Sequence, residues 1–134
     1  PVIELSWKTL QKTNIGRLDI CYDGINPPKL LEYNGDTPVC LLEASLVQKQ
    51  WLETVLPHCG QFNSLHKRLV ESWRQCHLEN CHLACRMEYP EMLDNINYLA
   101  KTMQETGIKT QLTHIDKIKW DGGHFIDENK QTID

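Results

Sequence analysis

No run of about 18 apolar residues occurs in these 134 residues, so no stretch reads as a membrane span. The charged, apolar and small-residue regions of a secretory signal are missing too. Nor is there a basic excess. Lys and Arg number 14 against 18 Asp and Glu, a formal net charge of −4 with neutral histidines. Nucleic-acid-binding surfaces are basic, so the balance argues against that class. Repeats, low-complexity tracts and linkers are absent. Gly122-Gly123 is a turn and not a phosphate loop, because no G-x-G-x-x-G lies between a strand and a helix.

What is there is 40% hydrophobic and 24% charged, the mix of a soluble globular domain long enough to bury a core. The expectation is one α/β unit over residues 1–134. The first residue is Pro, not Met, and the last eight are mostly polar, so a piece of a longer protein is expected. Of six cysteines, Cys21 and Cys40 sit in apolar patterns and read as buried thiols. With no secretion signal, a reducing, cytoplasmic setting follows.

Apolar spacing predicts a short helix over residues 3–12. Residues 17–22 alternate into Asp23-Gly24 and read as a strand, with residues 29–34 as its return. Asp36 or Thr37 as N-cap and Pro38 at the first helical position start a long helix, which runs to about Leu56. A second helix begins near Asn63-Ser64 with Leu65, Leu69, Val70 and Trp73 inward. Residues 80–87 read as a buried strand. Pro90 to Thr106 reads as a helix with Met92, Leu93, Ile96, Leu99 and Met103 inward, ended by Gly107. Residues 108–115 form another strand, and a small hairpin turns at Gly122-Gly123.

Chemistry concentrates in the first hairpin. If paired residue numbers sum to 51, Asp23 faces Pro28, Asp19 faces Glu32 and Arg17 faces Asn34. Alternate residues share a face. Arg17, Asp19, Glu32 and Asn34 then form a polar square, while Leu18, Ile20, Leu31 and Tyr33 turn to the core. Two opposed carboxylates repel, which destabilises a sheet unless something offsets it. Mg²⁺ would do so, being held by one or two carboxylates plus substrate phosphates. Asn34 would add an amide oxygen, and the Arg17 fork would suit a phosphate or an oxyanion. A solvated face with an Arg–Asp surface pair is the other reading, and the pattern alone leaves both open.

Gly16-Arg-Leu-Asp-Ile20, Lys29-Leu-Leu-Glu-Tyr-Asn-Gly-Asp-Thr-Pro38 and Leu41-Leu-Glu-Ala-Ser45 resemble the glutathionylspermidine synthetase family, ATP-grasp ligases that join a carboxyl to an amine. Gln50-Trp-Leu-Glu53, Gln61-Phe-Asn-Ser-Leu-His66 and Ile118-Lys-Trp-Asp121 extend the likeness from about Gly16 onward. The resemblance implies a pre-ATP-grasp-like α/β domain, a mixed sheet with flanking helices, plus a metal-binding β-hairpin of the ATP-grasp region. It implies ATP and Mg²⁺ as cofactors, with Asp19, Glu32 and Asn34 as metal ligands. Arg17 would steady the acyl phosphate or tetrahedral intermediate. Thr37 and Glu43 would line the acid substrate's site. Substrates would be ATP, a peptide acid such as glutathione and a polyamine, with no nucleic acid or membrane partner. Val39 stands where the family often has a hydroxyl residue, which leaves the acid open. Such proteins run to several hundred residues, so a fragment of this size is expected to be inactive alone. A non-catalytic binding module with the same fold is the alternative.

Other constellations carry less. Cys76, His77, Cys81, His82 and Cys85 cluster without the paired C-x-x-C spacing of zinc knuckles, and Cys81 and Cys85 would share a strand face with Leu83. A zinc-stapled interaction domain is the third reading. His58-Cys59 ends a helix, where the dipole disfavours a thiolate. Trp51 and Trp73 fall on apolar stripes and are expected in the core. Asp116, Asp121, Asp127 and Glu128 read as a solvated acidic surface.

Overall fold

A computed structural model describes residues 2–10, 14–35 and 38–133. The chain divides into two compact units, Pro1–Thr37 and Pro38–Asp134.

In the first unit, helix α1 (Val2–Lys8) is shorter than the expected 3–12. An i,i+4 pair, Lys8 Nζ to Glu4 Oε1 at 2.6 Å, spans its one full turn. Ile3, Leu5, Trp7 and Leu10 are all exposed. Strands β1 (Gly16–Cys21) and β2 (Lys29–Gly35) pair antiparallel. Arg17 faces Asn34, Leu18 faces Tyr33 and Asp19 faces Glu32, the register the sequence predicts. Beyond Asp19 the register shifts, and Ile20 faces Leu30 while Cys21 faces Lys29. The connection is therefore longer than the expected four-residue loop, and Asp23 does not face Pro28. The reason is local. Pro28 has no N–H to give a ladder. Asp23 instead accepts from the backbone N–H of Ile25 and Asn26 at 3.0 and 2.8 Å and from the Asn26 side chain at 2.7 Å. Those three bonds hold its carboxyl down at about 2. The Tyr33 ring lies over Gly16, where a Cβ would come within 2.5 Å of it.

A second correction concerns the apolar face of this hairpin. Leu18, Ile20, Leu31 and Tyr33 are more than half exposed, not core. Two strands and a seven-residue helix are too little to enclose one. Cys21 is exposed as well.

The second unit holds the core. Asp36 and Thr37, the expected helix cap, lie outside the described residues. Pro38 does not open the helix, because Cys40 adopts a left-handed backbone (φ +63°) that no α-helix passes through. Helix begins at residue 41, and Glu43–Val47 form a π-helical turn that runs into α2 (Gln48–Val55). Leu41 and Ser45 are its buried residues, whereas Leu46, Trp51 and Val55 are exposed, against the expectation of a buried Trp51. The widened π turn rotates the stripe that an even 3.6-residue spacing would bury. Helix α3 (Leu65–Cys76) buries Leu69, Val70 and Trp73. Strand β3 (Asn80–Cys85) then leads through α4 (Pro90–Gln104) to β4 (Lys109–His114), parallel to β3, with Leu83 beside Leu112. Ile96, Leu99 and Met103 are buried as predicted, while Met92 is exposed. Gly107 takes φ +90° after α4.

Across the α3–α4 contact, buried Trp73 Nε1 donates to the Oγ1 of fully buried Thr102 at 3.0 Å, and Thr102 donates to Leu99 O at 2.7 Å. A three-stranded sheet, β5 (Lys119–Trp120), β6 (Phe125–Ile126) and β7 (Thr132–Ile133), completes the unit. Its third strand had no signal in the sequence. The strands thus form three small sheets among the described residues, where one mixed sheet was expected. No helix among them is long and apolar enough to cross a membrane.

Candidate functional site

The hairpin brings four sequence-predicted residues together. On β1, Arg17 Nε lies 3.1 Å from Asp19 Oδ1, two residues along the same face. On β2, Asn34 sits directly across from Arg17, and Glu32 across from Asp19. In one amide orientation Asn34 Nδ2 reaches Asp19 Oδ2 at 3.5 Å. Turned over, Asn34 donates to Glu32 Oε1 at 3.2 Å and accepts from Arg17 Nη2 at 3.2 Å, which satisfies both ends of the amide. Asn34 is therefore the hub of the square. The shift in register begins immediately after Asp19. Bulges of this kind recur beside active sites, where they re-aim side chains.

The donor set suits a hard divalent cation. Two carboxylates oppose each other across the strands, and the Asn34 amide nitrogen reaches Asp19 in one orientation and Glu32 in the other. Mg²⁺ needs only one or two carboxylates when substrate phosphates complete its shell. Arg17 already shares one carboxylate and leaves the pair a single excess negative charge. Among the described residues no three His, Cys, Asp or Glu side chains gather as an all-protein metal site would require. Cys81, Leu83 and Cys85 lie at alternate positions of β3, half-buried, buried and buried. Burial raises the thiol pKa of Cys81 and Cys85, and Glu88 raises that of Cys85 further. Cys59 and Cys40 are exposed, the latter against expectation.

Of the two residues expected at the acid substrate's site, Thr37 lies outside the described residues. Glu43 opens the π-helical turn and is exposed. Around it two asparagines have roles that the sequence reading did not assign. Asn63 donates its side-chain N–H to the carbonyls of Ala44 and Ser45 at 3.2 and 2.9 Å. Buried Asn95 on α4 accepts from Leu42 N at 3.1 Å and donates to Glu91 O at 3.0 Å and Glu43 Oε2 at 3.5 Å. A signal existed: an asparagine beside Ile96 in the inward row of a helix is a poor helix former without a partner.

One acidic residue was misjudged. Asp127 is 2% exposed, not part of a solvated surface. Its Oδ1 accepts from Asn129 N and Gln131 N, both at 2.8 Å, and so builds the turn between β6 and β7. Asp121 stays at the surface, its carboxyl lowered by the backbone N–H groups of His124 and Gly123.

The family described as "Glutathionylspermidine synthase preATP-grasp" matches residues 1–134. A putative acid–amine ligase of Haemophilus influenzae is 35% identical over 142 residues, covering 99% of this chain and 36% of that protein. The bifunctional glutathionylspermidine synthetase/amidase of Escherichia coli is 28% identical over 137 residues, covering 95% of this chain and 21% of the relative. The chain thus spans about a third or less of the length of these relatives.

Proposed function

Because the chain belongs to the glutathionylspermidine synthase preATP-grasp family, we propose that it is one segment of a longer ATP-dependent ligase that joins an acid to an amine. The observation that carries this reading is the hairpin square, in which Arg17 faces Asn34 and Asp19 faces Glu32. The names of the relatives, an acid–amine ligase and a glutathionylspermidine synthetase, support the reaction class.

In this reading an oxygen of the acid's carboxylate attacks the γ-phosphorus of ATP, giving an acyl phosphate and releasing ADP. The amine nitrogen then attacks the acyl carbon, and phosphate leaves. Phosphoryl transfer needs little covalent help from protein and depends on positioning and charge neutralisation. Asp19, Glu32 and Asn34 would hold Mg²⁺, which when bound neutralises phosphate charge and orients ATP. Arg17 meets the negative charge that develops on transfer, its direction set by Asp19 at 3.1 Å. Thr37 and Glu43 are assigned to the acid substrate.

The test is ADP release by the full-length protein with Mg²⁺-ATP, peptide acids such as glutathione, and polyamines. Release that requires both an acid and an amine supports the ligase. Absence of release with every pair would favour a binding module that keeps the fold without turnover.

A further inference from the structure

Two ordinary devices that fix a hairpin's register do not act on the first half of the β1–β2 pair. A buried face would fix it, since a one-residue slip turns every side chain over. Here Leu18, Ile20, Leu31 and Tyr33 are more than half exposed. A tight turn would also fix it. Here the shift between Asp19 and Ile20 separates the turn from the pairs at Gly16 to Asp19. The polar square holds itself only in part, because Asn34 bridges it while Asp19 and Glu32 repel.

The end of the ladder offers a third device. Gly16 and Gly35 face each other there, and neither carries a side chain. Tyr33, two residues before Gly35 and on the same face, lays its ring across both. A Cβ on Gly16 would stand 2.5 Å from Cε2 and from Oη of that ring, and one on Gly35 would stand 3.3 Å from Cε1. The ring thus leans past its own partner, Leu18, onto the diagonal position, which an aromatic side chain can reach. Glycine within a strand often marks such a close approach, and a ring laid over it restores lost packing. Gly16 is the only glycine of β1. Were Ile15, Arg17 or Leu18 to slip into its place, a Cβ would meet the ring. The seat therefore admits one register.

We infer that Tyr33 is a positioning residue whose ring, keyed to Gly16, sets the register that puts Arg17 opposite Asn34 and Asp19 opposite Glu32. By alternation its side chain lies on the face away from the square, so it acts through the strand backbone. The link to catalysis rests on the Mg²⁺-ATP role proposed for the square; the register key does not.

Two readouts on the full-length protein separate the key from the chemistry. The first needs no substrate. Nuclear Overhauser contacts between the backbones of Arg17 and Asn34, and of Ile20 and Leu30 beyond the shift, are compared in wild type, Tyr33→Phe, Tyr33→Ala and Gly16→Ala. Tyr33→Phe keeps the ring and is expected to keep both contacts. Tyr33→Ala and Gly16→Ala should each lose the Arg17–Asn34 contact and keep the Ile20–Leu30 contact, and the double variant should lose nothing more. An Arg17–Asn34 contact that survives either substitution overturns the key. Loss of the Ile20–Leu30 contact as well would make Tyr33 a general support of the hairpin, and overturns it too. The second readout is the Mg²⁺ concentration that gives half-maximal ADP release with an acid and an amine. Residues that orient a metal's ligands change its affinity on the order of ten- to a hundredfold. The requirement should therefore rise about tenfold in Tyr33→Ala and Gly16→Ala and stay constant in Tyr33→Phe. An unchanged requirement in variants that have lost the Arg17–Asn34 contact overturns the positioning role and leaves the key standing. A protein that releases no ADP with any pair removes the ligase and the catalytic link together, and the Overhauser contacts then decide the key alone.

Discussion

The two units of this chain spend their polar residues differently. In the first, Arg17, Asp19, Glu32 and Asn34 gather on an open hairpin whose apolar residues are more than half exposed. In the second, polar groups such as Thr102 and Asn95 are buried and each hydrogen-bonds backbone or a neighbouring side chain. Buried polar groups that are satisfied specify a fold. Opposed carboxylates on an open strand pair do nothing for a fold and cost it something. The contrast fits the proposed function, in which the α/β unit carries stability and the hairpin carries chemistry.

The sharpest break of this contrast on the stability side is Trp73→Ala. It empties a core position and leaves Thr102 without its donor, and should cost about 3–5 kcal/mol in denaturant unfolding. A loss under about 1 kcal/mol would mean that the α3–α4 contact does not carry the unit. Next, under the proposed function, comes Arg17→Ala in the full-length protein. A donor aimed at developing charge is worth roughly a hundred- to a thousandfold in kcat. Its surface pair with Asp19 contributes little to stability, so the melting temperature should stay nearly constant. A variant that melts much earlier would make Arg17 a structural residue.

The smallest effect is at the hairpin's tip. Bonds from Asn26 and Ile25 favour ionised Asp23, with a folded value of about 2 against 3.8. A lowered carboxyl stabilises the folded form above the unfolded value and loses that contribution as pH falls toward 2. Order in the tip, read from the amide shifts of Ile25 and Asn26, should therefore fade between about pH 4 and pH 2. Asp23→Ala should show no such transition.

How far the sequence spoke depended on which forces decide each element. Period-2 alternation and the Asp19–Glu32 opposition gave the hairpin and the first half of its register, because both are local. The shift past Asp19 was hidden, because Pro28 withholds a donor and Asp23 finds nearer partners. Apolar spacing located α3 and α4 and their buried faces. It misplaced Trp51 because a π turn, fixed by Asn63 and Asn95 from distant sequence, resets the helix face. Asp127 looked like a polar tail residue, and only the turn it builds explains its burial. The polar square was legible as a pattern; the role of Asn34 as its hub needed the cross-strand distances.

The central claim is that Glu32 serves chemistry and not folding. The direct measurement runs the full-length wild type and Glu32→Ala side by side, recording substrate-dependent ADP release and the melting temperature of the metal-free protein. The account predicts that ADP release falls to background while the melting temperature holds or rises slightly, as one of two opposed charges is removed. ADP release that survives Glu32→Ala would contradict the assignment of the hairpin as the Mg²⁺-ATP site.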